Sequence, residues 1–312
     1  MTNPQSIKTT LNSAAALLHT EEAMLEAQLL LQHVLNVNRA WLIAHENDAL
    51  QPNIHTGFEA LLKRRLSGEP IAYILGKREF YGLDLSVTPD TLIPRPDTET
   101  LVEAALAKIA NPSFPRRRES SAEEKMDSRL RGNDDKSVFT NISILDLGTG
   151  TGAIALAIAS ARPHAEITAV DSSAAALNIA KLNAEKLAIT NIRFLQSDWF
   201  SALVDATFDV IVSNPPYIAN DDPHLSQGDL RFEPHSALAA GEDGLDCIWQ
   251  IIKQAEQHLN PHGWLMFEHG YDQAKKVAQL LKSAHFDSVT SIADLSGMLR
   301  VTLGQRMQQE KY

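Results

Sequence analysis

The sequence of 312 residues is poor in cysteine, in basic side chains and in long apolar runs. Its one cysteine, Cys247, cannot form an internal disulfide or a thiolate cluster for a metal, which favours a reducing compartment. No uninterrupted apolar run approaches the roughly 20 residues that a membrane helix needs. The stretch from Leu11 to Leu18 is short and runs into polar residues, which is not typical of a secretory signal. We therefore expect a cytoplasmic protein with no membrane partner.

Basic residues are outnumbered, since 28 Lys and Arg stand against 39 Asp and Glu and give a net charge of −11. Phosphate contacts dominate nucleic-acid affinity and need clustered cations, so this balance disfavours a general nucleic-acid binder. Hydrophobic residues make up 44% of the chain and charged residues 21%, which is typical of a folded protein. At about 150 residues per domain, the length predicts two domains.

The first 110 residues change pattern once. In residues 1–70, apolar side chains recur at steps of three and four, which predicts an N-terminal helical bundle. In residues 71–110, apolar residues alternate over Ile71–Leu75 and again around Tyr81-Gly82, which predicts extended chain and a hairpin. A linker helix is expected to open at Asp97, after a proline-containing segment that cannot be helical.

Residues 111–137 differ from their surroundings. The segment holds seven basic and six acidic residues with few apolar anchors. Mixed charges without apolar anchors are typical of a solvated loop, so we predict a disordered insertion without a catalytic role.

Residues 138–312 alternate strand and helix. A β-branched run at 142–147 precedes an apolar helix at 153–161, and further strands and helices follow in turn. This order predicts a parallel sheet with helices on both faces. Two late strands, near 288–292 and 299–303, are joined by a short link and predict an antiparallel pair at the sheet edge.

A glycine-rich turn between the first strand and helix of this region is the most informative segment. It contains Gly148, Thr149, Gly150, Thr151 and Gly152. Glycine lets the backbone approach a ligand, and the helix start offers free N–H groups to an anionic group. Asp171 ends the next strand, 19 residues beyond Gly152, where a carboxylate accepts hydrogen bonds from both hydroxyls of a ribose. The two features together predict an adenosine-containing cofactor.

The glycine turn alone leaves nicotinamide dinucleotides and S-adenosylmethionine open, because it also satisfies the dinucleotide fingerprint. A dinucleotide enzyme would need a second mononucleotide half and a hydride-accepting domain, and the sequence contains no His, Asp and Lys constellation for either. This favours S-adenosylmethionine. Trp199 follows the third strand, where its ring is expected to flank an adenine.

A second motif, Asn214-Pro215-Pro216-Tyr217, stands at the carboxyl end of a buried strand. Two prolines fix φ twice and remove two N–H donors, which leaves a rigid strip of acceptors: the Asn214 side-chain carbonyl and a backbone carbonyl near Pro215. Both hydrogens of a planar NH₂ group fit such a strip, with Tyr217 as an aromatic wall. We therefore predict that Asn214, Pro215 and Tyr217 are catalytic, and that Asn214 also borders the cofactor.

These motifs, with Phe80-Tyr81-Gly82, Pro94–Glu99 and Gly228–Pro234, resemble the peptide chain release factor glutamine methyltransferases over nearly the whole chain except 111–137. The resemblance implies a class I, Rossmann-like methyltransferase fold (α/β, seven strands with an antiparallel edge strand) behind a small helical bundle that recognises the release factor. It implies that S-adenosylmethionine methylates the side-chain amide of the glutamine in the Gly-Gly-Gln motif of class-1 release factors, which modulates translation termination and leaves S-adenosylhomocysteine.

Carried over residue by residue, the resemblance assigns the cofactor to Gly148, Thr149, Gly150, Thr151, Gly152, Asp171, Trp199 and Asn214. It assigns the glutamine to Asn214, Pro215, Pro216 and Tyr217, with S-adenosylmethionine as the cofactor and no metal. The eleven histidines show no metal-ligand spacing.

Three alternatives remain open. A methyltransferase for the exocyclic amine of adenine uses the same strip, but it needs a cationic path for the phosphates and a flipped base, so we expect no sequence-specific nucleic-acid binding. A glutamine methyltransferase for a ribosomal protein is nearer, although Arg231–Pro234 resembles the release-factor branch more. A non-enzymatic S-adenosylmethionine-binding module is disfavoured by the intact strip.

Side chains outside the motifs carry three smaller expectations. Glu268 ends a strand and is expected to be a solvated acid near the pocket. His262 and His269 are expected at the surface, and Arg95 is expected to pair with Asp97.

Overall fold

The computed structural model describes residues 5–109 and 142–307, so the predicted insertion at 111–137 lies outside the described residues. The chain begins with helices, which are α1 (Ile7–Leu17), α2 (Ala23–Leu35), α3 (Arg39–Ala44), α4 (Pro52–Leu66) and α5 (Ile71–Leu75). Ser6 and Asn38 cap α1 and α3 through their side-chain oxygens, which accept from Thr9 N at 3.2 Å and Trp41 N at 2.9 Å.

The first helices share one apolar core. The helical steps in the sequence place Leu30, Leu31 and Phe58 on buried faces, and these side chains are almost fully covered. Asn36 ends α2 in the left-handed conformation, with φ at +54°, and its N–H returns to the helix.

The segment Ile71–Leu75 was predicted to be extended, and this prediction is wrong, because it forms the helix α5. Ala72, Tyr73 and Ile74 are all buried, so burial on every side, rather than an alternating face, explains the apolar run. Gly76 ends the helix at a φ of +68°. The hairpin is confirmed as β1 (Lys77–Phe80) and β2 (Leu83–Ser86), joined by a two-residue turn with both φ values positive.

The remaining elements build one sheet with helices on both sides. Its strands are β3 (Ser143–Leu147), β4 (Glu166–Asp171), β5 (Ile192–Gln196), β6 (Phe208–Ser213), β7 (Leu259–Glu268), β8 (Phe286–Ala293) and β9 (Leu299–Arg306). The helices are α6 (Glu99–Ile109), α7 (Ala153–Ala161), α8 (Ala174–Lys186), α9 (Asp246–His258) and α10 (Ala274–Ser283). Short 3₁₀ turns include Pro96–Thr98, which leads into α6.

The strand order is β5-β4-β3-β6-β7-β9-β8, and β3 to β7 are parallel. The predicted antiparallel pair at the edge is confirmed: β9 runs against both neighbours, and β8 lies outside it. Alternate residues of β6 enter two cores, Val210 on one face and Ile211 on the other. The predicted α/β fold is therefore confirmed.

Helices α9 and α10 were not anticipated. Helix α9 buries Ile248, Ile251, Ile252 and Ala255, a spacing of three and four that places one apolar stripe on the sheet. In the described residues, no helix has the length and apolar character to cross a bilayer. Because β3, β4, β5, β6 and β7 are parallel, their carboxyl ends meet at one edge, and both sequence motifs begin at that edge.

Candidate active site

The glycine turn leaves β3 and enters α7 through three left-handed glycines. Gly148, Gly150 and Gly152 have φ values of +72°, +56° and +83°. Such angles are strained for side chains with a Cβ, so the turn requires glycine here. A Cβ at Gly152 would lie 3.0 Å from Leu156 and 3.2 Å from Ala180, whereas one at Gly150 would meet no atom within 4 Å. Gly152 therefore serves helix packing, and Gly150 leaves space for a ligand.

The turn is bound to the acid at the end of β4. Gly150 N donates to Asp171 Oδ2 at 2.9 Å, and Ser173 N donates to Oδ1 at 2.9 Å. Gly148 N and Thr149 N both donate to Val170 O, at 2.9 Å. The glycine turn and the carboxylate at the end of β4 are thus joined by direct hydrogen bonds.

A cavity of about 360 Å³ lies at this edge of the sheet. Of the residues predicted to hold the cofactor, Gly148, Gly150, Asp171, Trp199 and Asn214 line it. Pro216, predicted for the substrate, lines it as well. Trp199 adopts a φ of +49°, and its carbonyl accepts from Ser197 Oγ at 2.7 Å. The backbone of Trp199 is therefore held in a sparsely populated region by local contacts, and the residue lines the cavity.

Three further residues that were predicted to hold the cofactor make contacts within the protein. Thr149, Thr151 and Gly152 do not line the cavity. Thr149 Oγ1 instead donates to the buried Asp146 Oδ2 at 2.6 Å, and Thr151 O accepts from Asn183 Nδ2 at 3.0 Å. These contacts hold the turn to β3 and α8.

Asp146 is the fully buried acid beneath the turn. Burial raises its pKa to about 7, against the hydrogen bond from Thr149, which lowers it. Its Oδ1 has no hydrogen-bond partner within the described ranges.

Several cavity residues were missed by the sequence analysis. They come from remote segments: Pro89–Leu92 ahead of the predicted linker helix, Asp198 beside Trp199, Pro234, Ser236 and Ala237 in a loop, and Cys247 on α9. Pro89–Leu92 precedes the motif Pro94–Glu99, and Pro234 is the last residue of the motif Gly228–Pro234. Their closeness to these motifs was the signal in the sequence that could have identified them as site residues.

The second motif continues directly from β6. Ser213 Oγ donates to Leu147 O at 2.7 Å and fixes the strand end beside the glycine turn. A smaller cavity of about 50 Å³ is lined by Asn214, Pro215 and Tyr217, together with Arg95 and Leu92. Asn214 and Leu92 line both cavities, so the two spaces meet at Asn214.

Each end of the strip is held by a side chain from another element. Asn214 Nδ2 donates to Thr98 Oγ1 at 3.3 Å, so the amide nitrogen is engaged and the carbonyl oxygen is the group left to face a substrate. Tyr217 Oη donates to Glu268 Oε1 at 3.1 Å, and Tyr217 O accepts from Gln273 Nε2 at 2.9 Å. A Cβ at Gly244 would lie 2.1 Å from that same carbonyl.

Glu268 is not the solvated acid that we expected, since the residue is 1% exposed. Burial raises its pKa to about 7, against hydrogen bonds from Thr98 and Tyr217 that lower it. Burial likewise raises the pKa of Tyr217 far above its usual value, so its hydroxyl stays protonated as a donor.

Two other side-chain expectations are wrong. His269 is fully buried rather than at the surface, because its ring contacts Thr302 Oγ1 at 2.7 Å and Gly270 O at 2.9 Å. Arg95 pairs with the buried Glu233 rather than Asp97, and Asp97 pairs instead with Arg300 at 3.2 Å.

Comparisons with known proteins agree with this geometry. Residues 9–76 match the PrmC N-terminal domain, and residues 134–228 match the Methyltransferase small domain. The chain is 46% identical to the release factor glutamine methyltransferase of Escherichia coli over 93% of this chain and 94% of that protein. It is 46% identical to the enzyme of the same name from Pseudomonas aeruginosa, over 91% and 92%. The chain belongs to the release factor glutamine methyltransferase family.

The fold of this family member also occurs in distant enzymes. The hMettl16 catalytic domain, solved in complex with a 3′UTR hairpin, matches with a TM-score of 0.54 at 17% identity, covering 81% of this chain and 84% of that one. At that identity the likeness concerns the fold alone. No group of His, Cys, Asp and Glu within 5–109 or 142–307 is arranged to hold a metal ion.

In this methyltransferase the loop after the strip is bound to the first helices. Glu233 Oε2 accepts from Ile93 N at 3.0 Å. Arg65 Nη1 donates to Asp229 Oδ1 at 3.3 Å, and Arg231 Nη2 donates to Ser67 O at 3.2 Å. Arg65 is fixed in turn by two hydrogen bonds of 2.9 Å to Glu26. The motif that resembled the release-factor branch is therefore the contact between the helical part and the catalytic part.

Proposed function

We propose that this chain transfers a methyl group from S-adenosylmethionine to the side-chain amide nitrogen of the glutamine in the Gly-Gly-Gln motif of class-1 peptide chain release factors. The observation that carries the proposal is the position of Asn214 between the two cavities, with its amide nitrogen held by Thr98. The family of the chain supports the same substrate.

The larger cavity fits S-adenosylmethionine. Gly150 leaves open space where a Cβ would stand, Asp171 supplies a carboxylate for the ribose hydroxyls, and Trp199 supplies a ring for the adenine. We propose these residues, with Gly148 and Asn214, as the cofactor contacts. Bound there, S-adenosylmethionine supplies an electrophilic methyl group on a sulfonium, and S-adenosylhomocysteine is the product.

The smaller cavity fits the amide. Pro215 and Pro216 have no N–H to compete, so the strip offers the Asn214 side-chain oxygen and the Pro215 carbonyl to the two amide hydrogens. An amide nitrogen is a poor nucleophile because its lone pair is delocalised into the carbonyl. Holding both hydrogens out of the resonance plane returns lone-pair character, and orientation contributes about 7–11 kcal/mol in favourable cases. The product proton then leaves to water, and no general base is required.

We propose four parts of the chain. Residues 1–70 are a helical bundle that recognises the release factor, 71–110 a hairpin and linker helix, 111–137 an insertion and 138–312 the catalytic domain. The match of residues 9–76 to the PrmC N-terminal domain supports the first assignment.

The test is incubation with labelled S-adenosylmethionine and separate candidate acceptors: a class-1 release factor, ribosomal proteins and DNA. Mass spectrometry should place one methyl group on the Gly-Gly-Gln glutamine, and a release factor with glutamate at that position should remain unlabelled. Label on a ribosomal protein or on adenine instead, with the release factor unmodified, would contradict the proposal.

A further inference from the structure

Two residues outside the strip join its two ends. Thr98 closes the 3₁₀ turn before α6, and Glu268 ends β7. Asn214 Nδ2 donates to Thr98 Oγ1 at 3.3 Å, and Glu268 Oε1 accepts from Tyr217 Oη at 3.1 Å. The Thr98 hydroxyl also interacts with the Glu268 carboxyl and lowers the pKa of that carboxyl. The hydrogen bonds therefore run from one end of the strip to the other through Thr98 and Glu268. We call this set the amide relay.

The amide relay has a direction, because its members differ in what they can donate. When Glu268 is ionised, its carboxylate only accepts, and the hydrogen bond from Thr98 favours that form, so Glu268 takes the hydroxyl hydrogen of Thr98. The Thr98 oxygen is then left to accept, and the group that can donate to it is the Asn214 NH₂. This places the Asn214 carbonyl on the opposite side, toward the cavities.

Without an acceptor at Glu268, the Thr98 hydroxyl is free to donate to the Asn214 carbonyl. The Asn214 amide would then rotate by half a turn and present its NH₂ to the substrate. Two NH₂ groups cannot satisfy each other, since neither accepts a hydrogen bond. The direction of the hydrogen bonds in the amide relay thus decides whether Asn214 presents its carbonyl oxygen or its NH₂ to the substrate.

Burial supports a role beyond packing. Thr98 is 4% exposed and Glu268 1%, and Glu268 Oε2 has no hydrogen-bond partner in the described part of the chain. A buried carboxylate with an unpartnered oxygen costs stability, and an apolar side chain of similar size would avoid that cost. The charged neighbour Arg300 is engaged by Asp97 and Asp294, each at 3.2 Å.

We propose that Thr98 and Glu268 are positioning residues that fix the orientation of the Asn214 amide for methyl transfer. The proposal rests on the function proposed above for Asn214. Neither residue lines either cavity, and both act through the amide relay.

The first test replaces Thr98 with valine, which keeps its shape and removes the hydroxyl. Thr98→Val should lower kcat at least about tenfold and leave the KM for S-adenosylmethionine within about twofold, and Thr98→Ser should restore kcat to within about threefold. Thr10→Val is the matched control, because Thr10 is a buried threonine of α1 whose hydroxyl has no partner in the described residues. It should leave both constants unchanged.

The second test uses Glu268→Gln, whose NH₂ can donate to Thr98 and reverse the relay. This substitution should lower kcat by a similar factor. The double variant with Thr98→Val and Glu268→Gln should be no slower than the slower single variant, because both substitutions break the same series of hydrogen bonds. Thermal unfolding checks that each variant is folded, and calorimetry checks cofactor affinity.

The outcomes separate the two proposals. A wild-type protein that does not methylate the glutamine contradicts the proposed function. A wild-type rate in Thr98→Val, or independent multiplying effects of Thr98→Val and Glu268→Gln, overturns only the positioning role. If Thr98→Val does not fold, Glu268→Gln with wild-type kcat overturns it equally.

Discussion

The two halves of the site are built by different kinds of contact. The cofactor half is held by backbone N–H groups of the glycine turn, which donate to the end of the neighbouring strand β4: Gly150 N to the Asp171 carboxylate and Thr149 N to Val170 O. The amide half is held by side chains far away in sequence: Thr98 lies 116 residues from Asn214, and Glu268 lies 51 from Tyr217. A local motif therefore carries most of the first half, whereas the second half depends on remote support.

The largest effect is expected at the residue shared by both halves. Asn214→Ala removes the proposed acceptor for the substrate amide and should lower kcat about 1,000-fold, in the range found when one transition-state hydrogen-bonding group is lost. Methyl transfer to a release factor measures it. Asn220→Ala, at an exposed asparagine of the same segment, should retain full activity. Substantial turnover by Asn214→Ala would refute the role of the strip.

A smaller effect is expected in the cofactor half. Asp171→Ala removes the carboxylate that we propose accepts hydrogen bonds from the ribose, and it should weaken S-adenosylmethionine binding about 100-fold. Isothermal calorimetry gives the dissociation constant directly. Asp221→Ala is the control, since Asp221 is exposed and lines neither cavity. An unchanged dissociation constant for Asp171→Ala would exclude that carboxylate from the cofactor site.

A comparison of Gly244 and Gly82 distinguishes the loss of a contact that supports the site from the effect of backbone strain alone. Gly244 and Gly82 have nearly equal φ values, +74° and +75°, but a Cβ would strike Tyr217 O at Gly244 and nothing within 4 Å at Gly82. Gly244→Ala should cost about 2 kcal/mol of stability and lower kcat, whereas Gly82→Ala should cost about 1 kcal/mol and leave kcat unchanged. Chemical denaturation and the transfer assay measure both. Equal effects of the two substitutions would show that the Tyr217 carbonyl is not constrained.

The buried acid of the amide half should make stability depend on pH. The pKa of Glu268 is raised to about 7 in the folded protein from 4.5, so the folded state binds more protons between these values. Its contribution to stability is fully present below pH 4.5 and is lost as pH rises through 7. Between pH 6 and 8 the free energy of unfolding of the wild type should fall by about 1 kcal/mol more than that of Glu268→Gln. Parallel pH dependence in denaturant melts of the two proteins would argue against the raised pKa.

The smallest effect is expected outside both halves. The described part of the chain stops at Ile109, the last residue of α6, and resumes at Ile142, just before β3. Ile142 therefore lies at the amino end of β3, and that edge of the sheet is opposite the site. Deleting residues 111–137 should therefore leave kcat within about twofold and the unfolding temperature nearly unchanged. Loss of folding on deletion would show that the segment is part of the architecture.

The sequence predicted the cofactor half of the site more fully than the contacts between remote segments. Gly148, Gly150, Asp171 and Trp199, which were predicted to hold the cofactor, all line the larger cavity, because strand ends of a parallel sheet gather at one edge. The Arg95–Glu233 pair was missed, although each residue stands in a motif of the resemblance and their charges are opposite. Pairing over 138 residues leaves no periodic pattern in the sequence.

The remaining errors have local physical causes. His269 follows the last residue of β7, where polar side chains usually meet water, but Thr302 of β9 covers it. Ile71–Leu75 alternates like a strand, yet the segment is enclosed on all sides and ends at a left-handed glycine. Alternation predicts a strand only where one face of the segment stays in water.

The contact between Arg65 and Asp229 also limits how such enzymes can be recombined. Residues 228–234 belong by position to the catalytic part, but Arg65 and the Ser67 carbonyl hold them from the helical part. A chimera that exchanges the first helices between relatives must carry this loop along with them. The surface that joins the two parts is therefore discontinuous in sequence, since the residues that form it lie 164 positions apart.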